Sequence, residues 1–402
     1  MPPLQLTREI NIPRVEAYLD ALLIAPLQDI ATHEHIEGAS FGGEAALIQL
    51  LFTWAKRHPD GQLWLKTTDD NEELVRFLEK FSKRAFGFVA MLMASGVLTG
   101  DGRDCRRLAY KACESCVDEL VTSVESTAEE SEAESSIEDA LSKAVYGHRT
   151  FLPCVDHSTK AAIAPFYHPN GQFRERSEFR RFAEVLIGRR ATRFVDVNLS
   201  VLSGLGAILY ELMHNTHDWA RTEVDATKLR KSIRGILFTH FFISEASIRK
   251  AAGNNSEITA YMHQVEIRNP GKTIHFAELS VFDAGPGLAA RWLGLEGGVG
   301  DLTITSEHDA CVSCLGVHRS TSSDMYRGIG LYEVMHTLSQ LSAMVRVRTG
   351  RLAMLRNFIA EPLLQSERVT GPILPLSSEH EGRPGGLAPV TGTTFTILFP
   401  LK

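Results

Sequence analysis

The chain has 402 residues, 44% of them hydrophobic, enough to bury two ordinary cores. A formal net charge of -7 and an isoelectric point near 6.1 argue against a general nucleic-acid-binding surface and leave only local basic patches at 176–181 and 189–193. No apolar run reaches the ~18 residues needed to span a bilayer, and the opening Met-Pro-Pro-Leu-Gln-Leu-Thr-Arg-Glu lacks a signal-peptide core. A cytoplasmic location is the expectation.

Residues 1–122 alternate helix and strand signals. The pattern predicts a helix over 14–23, a strongly apolar helix over 45–56 and a short strand over 62–66 after the Pro-Asp-Gly turn at 59–61. A long helix over 72–95 should end near Gly96. This order predicts an N-terminal α/β domain with a partner-binding or regulatory role, faintly like STAS-type modules. A helix over 105–122 follows. Residues 123–136, rich in Glu, Ser and Ala, read either as a solvated helix or as a linker. The whole of 123–194 is expected to be an acidic linker and helical connector. Within it, prolines and histidines suggest an irregular path over 146–170, followed by a helix over 173–188.

Four stretches in the C-terminal half carry the chemistry. The first is Glu211-Leu-Met-His-Asn215-Thr-His-Asp218. Positions four and seven apart share a helix face, so Glu211, Asn215 and Asp218 project together while Leu205, Ile208, Leu209 and Leu212 line the flank. Magnesium with a phosphate chain suits such a face, because a hard cation needs few protein oxygens and keeps its waters. A solvated polar face is the plainer alternative. His214 and His217 are expected off this face as ordinary helix residues.

The second stretch, Asp283-Ala-Gly285-Pro-Gly287, follows a strand over 277–282. It leaves a carboxylate at the strand end able to accept a hydrogen bond from an exocyclic amine, unless it is simply a turn. The third, Gly328-Ile-Gly330-Leu331, opens a helix over 329–341, whose free N–H groups suit phosphate, although packing also explains glycines there. The fourth, Gly392-Thr-Thr-Phe395, begins a strand over 393–399, where the Thr393 hydroxyl can reach a base or simply reflect strand propensity.

In this order the stretches resemble the GHKL family of ATPases and kinases (gyrase, heat-shock chaperone, histidine kinase, MutL). "ELMHNTHDWA" is similar to its Asn box, "VFDAGPGL" and "RGIGLYEV" to its glycine boxes, and "GTTFTILFPL" to the closing strand of the histidine-kinase and anti-sigma-kinase branch. The resemblance covers about 195–402. It implies an α+β fold, in which a two-layer sandwich with a mixed sheet and helices on one face follows the N-terminal domain. It further implies ATP and Mg2+ as ligands, with Asn215 on the metal, Asp283 on adenine, and Gly328 and Gly330 on phosphate. Asp218, Gly285, Gly287, Arg327, Leu331 and Thr393 are expected to complete the binding site. Glu211 stands where members that hydrolyse ATP or phosphorylate serine keep their general base. The implied activity is an ATPase or a serine/threonine-type kinase acting on an unidentified protein partner, another copy included. A non-catalytic nucleotide sensor is the alternative.

Residues 288–327 correspond to the family's mobile lid, with Gly294, Gly297, Gly298 and Gly300 fitting one, and Arg319 and Arg327 are candidates for the terminal phosphate. The connection 221–259 is long and holds an apolar run at 236–243, a candidate extra strand, before a basic stretch with Arg249 and Lys250. Gyrase-like, MutL-like and chaperone-like members need a further domain after the closing strand, so those branches are not expected. No histidine phospho-acceptor box precedes residue 195. Cys113/Cys116 and Cys311/Cys314 have Cys-x-x-Cys spacing but lack knuckle glycines, which favours reduced thiols over zinc or redox roles. Gly271-Lys272-Thr273 is not a phosphate loop, since Glu266 stands where a glycine is required, and it reads as a hairpin turn between strands 263–268 and 274–282.

Overall fold

The computed structural model describes residues 2–33, 36, 41–67, 71–125, 137–138, 141–146, 149–157, 165–168, 170–191, 199–243, 255–268, 274–316, 330–364 and 374–401. The N-terminal part contains β1 (Leu4–Gln5), α1 (Ile12–Ile24), β2 (Ile30–Thr32), α2 (Gly43–Arg57), β3 (Gln62–Leu65), α3 (Asn71–Ser82), α4 (Ala85–Met93), β4 (Gly96–Thr99) and α5 (Arg106–Glu125). Its four strands pair in parallel in sequence order, each joined to the next through helix. Asn11 starts α1 by accepting the Arg14 N–H, and Pro13 sits in the first turn, where no intrahelical donor is lost. The single helix expected over 72–95 is broken into α3 and α4. The former buries one face through Leu74, Phe77, Leu78 and Phe81, whereas every residue of the latter is buried. The chain must turn from surface to interior between them.

The C-terminal part continues with β5 (Val145–Tyr146), β6 (Arg149–Val155), a 3-10 turn (Arg176–Glu178), α6 (Phe179–Ala191), α7 (Leu199–Trp219), β7 (Ile233–Ile243), α8 (Ser256–Arg268) and β8 (Ile274–Phe282). Then come α9 (Leu288–Leu293), α10 (Ile304–Cys314), α11 (Gly330–Gln340), β9 (Met344–Gly350), β10 (Leu352–Asn357) and β11 (Val390–Leu401). Among the described residues the strands form one seven-stranded sheet in the order β10-β9-β11-β8-β7-β6-β5. One parallel and one antiparallel sheet, both with helices, make the chain α+β.

Four expectations need correction. The larger sheet is antiparallel throughout, not mixed. Ile243 pairs with Ile274, so the helical connection between β7 and β8 returns to the end of the sheet it left and reverses the strand. Residues 149–155, expected to be irregular, supply β6, with Phe151, Leu152, Cys154 and Val155 buried. The sheet therefore begins inside the segment expected to be a connector. Residues 263–268 belong to helix α8, because Ile258, Tyr261, Met262 and Val265 recur at helical spacing and are buried together. Finally, helices cover both faces of the sheet. Val281, Asp283 and Phe395 face α7, while Phe282 on the other face packs on Phe52 of α2 and Glu278 accepts the Gly42 N–H. The N-terminal part occupies the face expected to be bare, and α8 shares it around Phe276 and Leu398.

Every residue from Gly43 to Trp54 of α2 is buried, as expected for a helix apolar all round. The helix lies against β11 and β8 with α1 and α4 on its flanks. Two arginines buried at this junction are paired with carboxylates. Glu16 of α1 receives Arg348 at 2.9 and 3.0 Å, and Arg346 beside it forks onto Glu379 at 2.8 and 2.6 Å. With side chains only 6% and 1% exposed, Glu16 and Arg348 cannot fall back on water. Glu16→Ala should therefore lower the free energy of unfolding by about 3–5 kcal/mol in urea titration, whereas the double change Glu16→Leu/Arg348→Met should cost less than the single one.

Candidate functional site

Helix α7 brings the expected residues together. Leu205, Ile208, Leu209 and Leu212 are buried against the sheet, and Glu211, Asn215 and Asp218 line a cavity of about 460 Å³ beside them. Asp283, Gly287, Gly330 and Leu331 line the same cavity. Its size lies within the range of about 300–1,000 Å³ usual for ligand pockets. Gly285 and Thr393 are not in the lining; their backbone N–H groups hold the Asp283 Oδ1 atom at 2.8 and 3.3 Å. The Thr393 hydroxyl, expected to meet a base, instead pairs with that of Thr349 at 3.2 Å. Arg319, Arg327, Gly328, Arg249, Lys250 and the 269–273 turn lie outside the described residues.

At positions 392 and 285 glycine is required because backbones meet. A Cβ on Gly392 would lie 1.8 Å from the Asp283 carbonyl oxygen, and the residue has φ +74°. At Gly285 a Cβ would lie 2.8 Å from Ala220, at the end of α7. Gly287, with φ +91°, starts α9. A Cβ on Gly330 would come within 2.2 Å of the Glu211 Oε2 atom, so the start of α11 rests directly on that carboxylate.

The acids differ in setting. Burial raises the pKa of Asp283 to about 6, against the opposing pull of the two N–H groups it accepts. Burial also raises that of Glu211; Arg176 pulls it down and Glu333 adds to the rise. Arg176 Nη1 stands 3.3 Å from Glu211 and 2.7 Å from Glu333 of α11. Asp218 is paired with His214 Nδ1 at 3.5 Å. His214, expected off the site, lines the cavity, whereas His217 lies outside it and bonds the Tyr167 hydroxyl at 2.7 Å. Burial lowers the pKa of His217 to about 4.

Sequence reading missed several walls of the cavity, namely Arg176, Tyr210, Trp219, Arg291, Trp292 and Glu333. Tyr210 and Trp219 adjoin named residues of α7, and Arg291 follows Gly287 by one helical turn, so spacing carried a signal for these three. Arg291 is held in place by the Glu223 carbonyl at 3.0 Å and the Thr222 carbonyl. Arg176 stood out only as the first residue of the basic patch at 176–181, with nothing local to tie it to the cavity. Of the expected lid, α9 and α10 are described. Glu307 of α10 is fully buried and tied to Arg351 through N–H and guanidinium bonds of 2.7 and 2.8 Å. Cys314 of α10 reaches the cavity wall, and burial pushes its thiol up to about 12.

Among the described residues, no group of three or more His, Cys, Asp or Glu side chains has metal-holding geometry, and no helix is long and apolar enough to cross a membrane. Comparisons with family models, with curated proteins and with solved structures found no match.

Asp283 and Glu278, whose pKa burial raises to about 7, make a joint prediction. A carboxyl whose pKa is higher when folded favours the fold fully below its unfolded value, and that contribution is lost as pH rises through the folded value. These two groups should therefore lower stability between about pH 4 and pH 7. Asp283→Asn and Glu278→Gln should each flatten part of that slope in urea titrations across this range.

Proposed function

We propose that the chain is an ATP-binding regulator of the GHKL type, acting in the cytoplasm as a Mg2+-dependent ATPase or serine/threonine-type protein kinase whose nucleotide state controls a protein partner. One observation carries this reading. Glu211, Asn215, Asp218, Asp283, Gly287, Gly330 and Leu331 come from three separate stretches and line one cavity.

The donor set fits an adenine nucleotide. Asp283 is buried at the end of β8, and both of its backbone hydrogen bonds fall on Oδ1, leaving Oδ2 for an exocyclic amine. Trp219, Trp292 and Tyr210 offer apolar ring surface around a flat base. The first turn of α11, with Gly330 at its start, would offer its N–H groups to phosphate oxygens. The set also suits magnesium. With no ready-made carboxylate cage among the described residues, the Asn215 amide oxygen would hold the ion together with water and ligand oxygens. Magnesium bound there would neutralise phosphate charge. Glu211 would accept the proton of a water or a protein hydroxyl, a role that its pKa, raised by burial, favours.

A second reading, a nucleotide sensor without turnover, draws support from the ion pair that already occupies Glu211. One variant separates these readings and a second tests the pocket they share. Glu211→Ala should still bind ATP, measured by calorimetry, while phosphate release from γ-labelled ATP falls by about 10²–10⁴-fold; native-rate turnover in this variant would refute Glu211 as the base, and ATP binding without any turnover in the native protein would leave only the sensor. Asp283→Asn places an amide donor against the amine of adenine, so ATP binding should be lost under both readings. Native ATP affinity in that variant would refute the pocket assignment.

A further inference from the structure

Arg176 lies far in sequence from the other charged groups of the cavity, on a turn that is firmly held. Glu175 and Glu178 cap the 3-10 turn reciprocally, and the Glu175 N–H donates to Glu178 Oε2 at 2.8 Å. Glu178 Oε1 takes Arg174, itself buried and bonded to the Pro165 carbonyl at 2.6 Å. His168 stands 3.1 Å from the other Glu178 oxygen. The backbone of residue 176 is thereby fixed, while its side chain, 48% exposed, extends into the cavity.

At that point two helices present carboxylates to one cation. Nη1 of Arg176 meets both Glu211 of α7 and Glu333 of α11. The guanidinium stands beside the start of α11, where Gly330 lines the same cavity. Glu211 is confined on its other side, since its Oε2 abuts Gly330. Two acids around one guanidinium leave a local excess of negative charge that a second cation, or transfer of the guanidinium to one side, would change. An ion pair whose guanidinium side chain is 48% exposed is a weak hold on an arginine, whereas phosphate oxygens offer it a charged, forked partner.

We infer that Arg176 is a phosphate-binding and positioning residue, shared between the terminal phosphate of a bound nucleoside triphosphate and the Glu211/Glu333 pair. This rests on the reading of the cavity as an ATP site. It couples two events: contact with the terminal phosphate draws the guanidinium away from Glu211, and the freed carboxylate becomes available as a base. It also gives the cavity a means of distinguishing triphosphate from diphosphate. Because α6 continues directly from the Arg176 turn and packs on α7, the same contact links nucleotide state to the outer helices.

The test is calorimetric titration of the full chain with ATP, ADP and AMP in the presence of Mg2+. Native protein should prefer ATP to ADP. Arg176→Ala should lose about tenfold in ATP affinity and stay within about twofold for ADP and AMP, with Arg176→Lys intermediate because an ammonium keeps the charge but not the fork. Glu333→Gln, which removes one competitor for the guanidinium, should raise ATP affinity severalfold and leave ADP unchanged. The acid limb of the kcat/KM–pH profile, which reports the free protein, should move upward in Arg176→Ala, since the guanidinium no longer lowers the Glu211 pKa there. An equal loss for all three nucleotides would make Arg176 a structural support and overturn the proposal. Unchanged ATP affinity in Arg176→Ala, with binding lost in Asp283→Asn, would overturn it while the ATP reading stands. If native protein binds none of the three nucleotides, both fall together.

Discussion

The burial of α2 on every side is the constraint on which the rest of the structure depends. A helix with no polar face can exist only where something covers it all round, and here the cover comes from both parts of the chain. Its polar side chains are placed to bind strand backbone. Gln49 Nε2 donates to the carbonyls of Arg348 and Gly392, and Thr53 Oγ1 accepts the Thr391 N–H. At its start, the Gly42 N–H is capped by Glu278 from the middle of β8. The helix belongs to the parallel unit by connectivity and to the antiparallel sheet by contact. The two parts share one core, which includes Leu50, Val97, Val281 and Ile397.

This junction reaches the cavity within a few bonds. Gly392, whose carbonyl Gln49 binds, donates its own N–H to the Gly285 carbonyl at 2.8 Å. Gly285 and Thr393 in turn fix Asp283. The carboxylate that anchors the proposed ligand is thus supported from behind by a helix of the N-terminal part, through hydrogen-bonded backbone groups at Gly392, Gly285 and Thr393. Buried donors and acceptors arranged in this way are costly to leave unmade, so the chain of bonds holds Asp283 in one position. On the other side of the cavity the arrangement is looser, with partly exposed charges on α7, α11 and the Arg176 turn.

Where sequence reading succeeded, the relevant forces were local. Glu211, Asn215 and Asp218 share a face because helical spacing dictates it, and the apolar flank of α7 follows the same period. Asp283 stands at the end of a strand whose β-branched and apolar residues announce it, and Gly330 opens a helix as expected. Residues 149–155 read as irregular because Pro153 sits within them. In the sheet they form β6 beside β7, a pairing that only the partner strand reveals. Residues 263–268 read as a strand because this C-terminal half of the helix over 256–268, seen without Ile258 and Tyr261, lacks the full helical period.

Taken alone, the sequence determined which residues share a helix face, where the strand ends in Asp283 and where the chain needs glycine, because backbone geometry and side-chain period act over a few residues. Only the tertiary structure decided that His214 belongs to the cavity, that Thr393 contributes its N–H and not its hydroxyl, and that the N-terminal part covers the back of the antiparallel sheet. It alone placed Arg176 between Glu211 and Glu333. Those outcomes come from packing and from charges meeting across long stretches of chain, and no local pattern records which distant group will arrive.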